Sequence, residues 1–157
     1  MQHSFDPVYN KHSNVLILGT FPSVKSREQH FFYGNPQNRF WKVISAITNA
    51  PLPITIEEKK AMLLAHGIAI WDVIQSCDIT GSSDSSITNV VPMDFAKILR
   101  HASIKQIYAN GATAEKLYQK HCEATTGRDI IKLPSTSPAN AACSLEKLIE
   151  AWSVIYT

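Results

Sequence analysis

Four short apolar runs, each closing on a polar or turn-forming residue, constrain this chain more than any other feature. They occupy residues 14–18, 67–71, 105–109 and 129–133. Each is brief and rich in Val, Ile or Leu, with turn residues close by, so each predicts a buried strand. Helical patterns stand between them. Phe40, Val43, Ile44 and Ile47 fall on one helical face. Thr55 followed by Glu58 predicts a capping box for a helix reaching His66, with Gly67 as its stop. Phe95, Ile98 and Leu99 mark another helix with Pro92 near its start, and residues 111–122 a further one. Leu145, Leu148, Ile149, Trp152 and Ile155 form an amphipathic stripe behind Ser144 as N-cap. Strands alternating with helices predict an α/β fold, a mostly parallel sheet with helices on both faces.

The 157 residues fit one domain and suffice for a real core. A net charge of +2 leaves no broad basic surface, so any nucleic-acid contact is expected to be a local patch. No apolar run approaches the roughly 20 residues of a membrane span, and MQHSFDPVYN lacks the apolar core of a signal peptide. Cys77, Cys122 and Cys143 are odd in number and far apart, which points to a reducing, cytoplasmic setting. There is no CxxC, no HExxH and no His/Cys cluster, so no metal is expected. GxxxxGK[ST] and GxGxxG are also absent.

Parallel sheets bind ligands at the carboxyl ends of their strands. Here the first strand runs into Gly19, Thr20, Phe21, Pro22 and Ser23, the second ends at Trp71-Asp72 and the third at Asn110-Gly111. The fourth leads into Pro134, Ser135, Thr136, Ser137, Pro138, Ala139 and Asn140. Between the first strand and the next helix come Phe31-Phe32-Tyr33-Gly34 and Asn35-Pro36-Gln37-Asn38-Arg39. Loop aromatics either cover the core or stack on a base. An Asn before a helix either caps it or positions a water or base edge. Asp72 fits a general base, a base reader or a cap, and Arg39 fits a phosphate contact or a surface ion pair. Hydroxyls in the 134–140 stretch suit phosphate, as they suit a rigid turn.

GTFPS, YGNPQNRFW, IWDV, SCDITGSSDSSI and LPSTSPAN, in this order, resemble the uracil-DNA glycosylase superfamily. More narrowly, the chain is similar to its hypoxanthine-DNA (deoxyinosine) glycosylase branch. The resemblance covers nearly the whole chain and implies one such domain over 1–157. Its fold would be a three-layer α/β/α sandwich around a central four-stranded, mostly parallel sheet. It implies a monofunctional glycosylase that flips a deaminated base from double-stranded DNA and needs no metal or organic cofactor. Mismatch-specific relatives carry Asn where this chain has Phe21. The resemblance therefore moves the water-positioning amide to Asn38, with Asn35 as competitor. It implies base contacts for Gly19, Thr20, Phe21, Phe32, Tyr33, Asp72 and Asn110. It implies DNA contacts for Pro22, Ser23, Arg39, Ser135, Thr136, Ser137, Pro138 and Asn140, with the wedge among 134–140 left open. Lys25, Arg27 and Lys42 join Arg39 as candidate phosphate contacts. A uracil or mismatch-specific glycosylase, an idle DNA-binding module and a free-nucleoside hydrolase are the alternatives. Nothing in the sequence points to a protein partner.

Overall fold

The computed structural model describes residues 1–156; Thr157, the last residue of the expected 1–157 domain, lies outside the described residues. The chain runs through β1 (Val15–Gly19), α1 (Val24–Gln29), α2 (Phe40–Thr48), α3 (Ile56–Ala65), β2 (Ile68–Asp72) and β3 (Ile74–Asp78). It continues through β4 (Thr88–Pro92), α4 (Ala96–His101), β5 (Gln106–Asn110), α5 (Ala112–His121), α6 (Glu123–Thr126), β6 (Ile130–Leu133) and α7 (Leu145–Trp152). The sheet is four-stranded, in the order β2-β1-β5-β6, and every pairing in it is parallel.

Three of these strands lie one residue later than the apolar runs, so that Gly19, Asp72 and Asn110 belong to them. The ladder is made by backbone groups and continues through a polar last residue. Gly19 pairs with Asp72, and Asn110 with Leu133. The strands thereby aim their polar ends into one region.

Period-two alternation divides the core between the two faces. Val15, Ile17, Ile68, Ile70 and Leu133 pack with Phe40, Ile44, Leu63, Leu148 and Trp152 of α2, α3 and α7. Leu16, Leu18, Ala69, Ile107 and Ala109 pack with Ile98, Ala114 and Tyr118 of α4 and α5. The three-layer arrangement follows. The α3 capping box forms as expected, and the Ser144 hydroxyl accepts from the Lys147 N–H at 3.2 Å to start α7.

Three local expectations change. Pro92 ends strand β4 and does not open a helix; α4 begins at Ala96, whose N–H donates to Asp94 Oδ1. The hairpin of β3 and β4 was not anticipated. Its register shifts twice, and β4 alternates poorly between exposed and half-buried positions. Helix α1 is also new, started by the Ser23 hydroxyl accepting from Ser26 N–H. It is six residues long and has little apolar periodicity to announce it.

Candidate active site

Along the sheet the order changes direction between β1 and β5, the place where parallel sheets open a ligand crevice. A cavity of about 500 Å³ lies there. It is walled by the segments following β1 and β6, the ends of β2 and β5, and the loop between β3 and β4. Of the residues expected to bind base or DNA, Arg39, Asn140, Lys25, Arg27 and Lys42 stand outside its lining and the others form part of it.

The floor is built over Gly19. A Cβ at this position would stand 2.5 Å from Asp72 Oδ1 and 3.2 Å from the Tyr33 hydroxyl, so only glycine lets both groups approach. The Asp72 side chain is 6% exposed and its Oδ2 accepts from His3 Nε2–H at 2.7 Å. Its Oδ1 takes no part in that bond and stands over Gly19. Tyr33 takes a left-handed backbone (φ 51°) and stacks on Phe40 at 4.0 Å between centroids. Its hydroxyl is buried without a partner among the described residues. Burial first, then the charge of Asp72, pushes the phenol far above its ordinary pKa, against a smaller pull from Asn110. Tyr33 therefore stays protonated and offers a donor beside the acceptor of Asp72.

The back wall is a closed chain of amides around one hydroxyl. Asn110 Nδ2–H donates to Thr136 Oγ1 at 2.9 Å, and Thr136 Oγ1–H donates to Asn38 Oδ1 at 2.8 Å. The Thr136 N–H returns to Asn110 Oδ1 at 3.0 Å, and Phe40 N–H also donates to Asn38 Oδ1 at 2.9 Å. Both lone pairs of the Asn38 oxygen are thus engaged, which fixes the amide's orientation. What Asn38 has left is Nδ2, without a protein partner among the described residues. The Asn35 side chain, by contrast, makes a single local turn bond, its Oδ1 accepting from Gln37 N–H.

Several expectations are corrected. Thr136 is fully buried and links the two asparagines, so it does not reach a DNA backbone. Phe32 touches the cavity wall but is 2% exposed and packs edge-on against Phe5 and Phe31. It is a core residue with no open face for a base. Arg39 makes no ion pair among the described residues. Its guanidinium donates to the carbonyls of Asn140, Ser137 and Cys143, tying down the loop after β6. Asn140 serves the same loop, Nδ2–H donating to Ser135 O at 3.0 Å. Arg27 donates to Gly81 O at 2.6 Å and lies over the Phe21 ring. Lys25 pairs loosely with Glu28, while Lys42 stays exposed.

Phe21 is 8% exposed and packs with Ile74 and Cys77. It anchors the turn as an apolar residue, with Thr20, Pro22 and Ser23 at the cavity beside it. At the rim, Ser135 Oγ accepts from Ser137 N–H and Ser137 Oγ from Ala139 N–H. Each of these hydroxyls keeps its proton for an outside acceptor. Ser82, Ser83, Asp84 and Ser85 complete the opposite rim, and burial, helped by Asp72, raises the Asp84 pKa.

His3 is the site residue that the sequence did not disclose. It arrives through the N-terminal segment, whose backbone bonds to β3 through His3 N–H to Gln75 O at 2.7 Å and through a Gln2–Ser76 bridge. No motif surrounds it, and its partner lies 69 residues away. Among the described residues no group of three metal-ligating side chains gathers, and no helix is long and apolar enough to cross a membrane.

Comparison with known proteins adds the following. The family model for the uracil DNA glycosylase superfamily matches residues 7–155. A hypoxanthine DNA glycosylase from Methanosarcina acetivorans is 30% identical over 158 residues, covering 99% of this chain and 98% of that protein. Another, from Methanosarcina barkeri, is 29% identical over 112 residues, covering 70% of this chain and 71% of its own length. The solution structure of a candidate uracil DNA glycosylase from Methanosarcina acetivorans superposes with a TM-score of 0.82 at 29% identity. It covers 97% of this chain and 94% of that one.

Proposed function

This chain belongs to the uracil DNA glycosylase superfamily as a hydrolase of N-glycosyl bonds acting on DNA, and we propose that the base it releases is hypoxanthine, from deoxyinosine in double-stranded DNA. The observation that carries this reading is the acceptor–donor pair over Gly19, Asp72 Oδ1 beside the Tyr33 hydroxyl. Deamination turns the amidine edge of adenine, a ring nitrogen lone pair beside an NH2, into a lactam, an N–H beside a C=O. A carboxylate accepts the lactam N–H and the phenol donates to the C=O. The same pair opposes a lone pair with a lone pair when adenine enters, a mismatch that leaves buried polar groups unpaired. A cavity of about 500 Å³ admits a purine, and both curated relatives are described as hypoxanthine enzymes.

The reaction follows from the same groups. The damaged nucleotide rotates out of the stack, which costs less for a mispaired base. The C1′–N9 bond breaks with its electron pair passing to the base, and donors on the dry floor stabilise that charge. A water oxygen held by Asn38 Nδ2–H turns its remaining lone pair to C1′. Its surplus proton leaves to solvent, the departing base takes up a proton from solvent in exchange, and the products are free base and an abasic site. Asn38 orients and does not deprotonate, since its oxygen is already engaged twice. The rim hydroxyls of Ser135 and Ser137 donate to DNA phosphates.

Uracil carries the same lactam in a smaller ring, which makes it the second reading. Single-turnover release from duplexes containing deoxyinosine, deoxyuridine, deoxyxanthosine or only normal bases, developed with alkali, separates the two. Fastest release from deoxyinosine is expected. An intact deoxyinosine strand under conditions that cleave deoxyuridine overturns the hypoxanthine reading.

A further inference from the structure

We propose that His3 is a positioning residue for base recognition: through Nε2 it holds the Asp72 carboxylate so that Oδ1 stays in the cavity as the acceptor for the lactam N–H. This rests on the reading of Asp72 given above. A carboxylate this deeply buried requires a partner. Among the described residues His3 is the only side chain that bonds Asp72, at 2.7 Å, with 2% and 6% of the two side chains exposed. No lysine or arginine of the described residues pairs with it.

The histidine is held as tightly as the carboxylate. Its ring packs against Phe5 at 4.5 Å, Phe32 at 6.0 Å, Phe21 at 6.1 Å and Trp71 at 6.5 Å between centroids. Its Nδ1 is buried without a partner, so the bond to Asp72 is the one polar contact that orients the ring. An imidazole placed only to fill an apolar box gains nothing from its nitrogens, and a phenyl ring would serve better there. The carboxylate divides its work. Oδ2 faces His3, and Oδ1 stands over Gly19 next to the Tyr33 hydroxyl. Losing the Nε2–H frees the carboxylate to turn and removes the acceptor from its place opposite the base.

The test compares wild type with His3→Phe, which keeps the ring but not the donor, and His3→Gln, whose amide N–H reaches the same carboxylate. Single-turnover release separates the rate constant from the amplitude, and the amplitude reports the folded fraction. His3→Phe is expected to lower the rate constant for deoxyinosine by about 30-fold. Amplitude and affinity for an abasic-site duplex are expected to stay near wild type. His3→Gln is expected to recover most of the rate. His3→Asn, too short to reach the carboxylate, replaces the phenylalanine variant if that one does not fold. A loss confined to amplitude, or a glutamine variant as slow as the phenylalanine one, overturns the proposal. If wild type spares deoxyinosine but releases uracil, the hypoxanthine reading fails on its own. The same rate comparison on deoxyuridine, whose N3–H belongs to an equivalent lactam, then decides the role of His3.

Discussion

The floor and the rim of the cavity are made of similar polar residues and behave differently. On the floor, Asn38, Thr136, Asn110, Asp72 and His3 satisfy one another across long stretches of sequence, and only a few atoms are left unpaired. Three of those atoms, Asp72 Oδ1, the Tyr33 hydroxyl and Asn38 Nδ2, belong to residues lining the cavity, while His3 Nδ1 is unpaired behind it. On the rim, Ser135 and Ser137 close tight local turns, and their hydroxyl protons remain available. A floor of this kind holds groups in fixed places, as reading an edge requires. A rim of this kind adapts to a phosphate wherever the strand runs. The contrast is the general one between contacts that specify and contacts that position.

Substitutions break this contrast in a definite order. Asn38→Ala removes the water-holding amide and is expected to slow single-turnover release by about a thousandfold, with abasic-duplex affinity nearly unchanged. A rate near wild type removes Asn38 from the reaction. Asp72→Asn keeps an acceptor for His3 but offers the base an N–H where it had an oxygen. Release of hypoxanthine is expected to fall by about a hundredfold, and release of a control adenine, whose ring nitrogen now meets an N–H, not to fall. Equal losses on both bases mean that Asp72 does not read the edge.

Arg39→Ala tests whether the two regions are independent. It removes the guanidinium that ties three loop carbonyls together, leaving Ser137 O and Asn140 O only their backbone N–H partners, and a melting experiment is expected to show a loss of about 2 kcal/mol. Affinity for DNA is expected to fall by about fivefold, because the hydroxyls of 135–137 lose their frame. Ser137→Ala acts on the rim alone and is expected to weaken binding by only about threefold, with the rate at saturation intact. A large rate effect from Ser137→Ala erases the distinction between floor and rim.

Much of the floor was legible in the sequence because parallel strands end in polar residues for a reason. Gly19, Asp72 and Asn110 stand where ladder geometry converges, and Asn38 stands just before a helix that shows its apolar face plainly. The partners were not legible. Arg39 looks like an exposed cation at a helix start, yet the carbonyls it meets lie 98, 101 and 104 residues away. Thr136 looks like one hydroxyl among three, and only its complete burial sets it apart. Phe32 and Tyr33 are neighbours in one aromatic run, and a left-handed backbone at Tyr33 sends their side chains to different fates. His3 offers no local pattern at all. Spacing reveals which elements form; it does not reveal which side chains from distant elements meet.

Gly19 stands where the floor leaves no room for a methyl group, because the carboxylate of Asp72 already occupies that space. Positions 19 and 72 are therefore a lock with two tumblers. Gly19→Ala alone forces the carboxylate aside and disables the reader, while Asp72→Gly alone opens a hole beside His3. Side-chain bulk can therefore move from position 72 to position 19 only by a paired exchange, whereas an isosteric change at 72 alters the edge that is read without disturbing the fit.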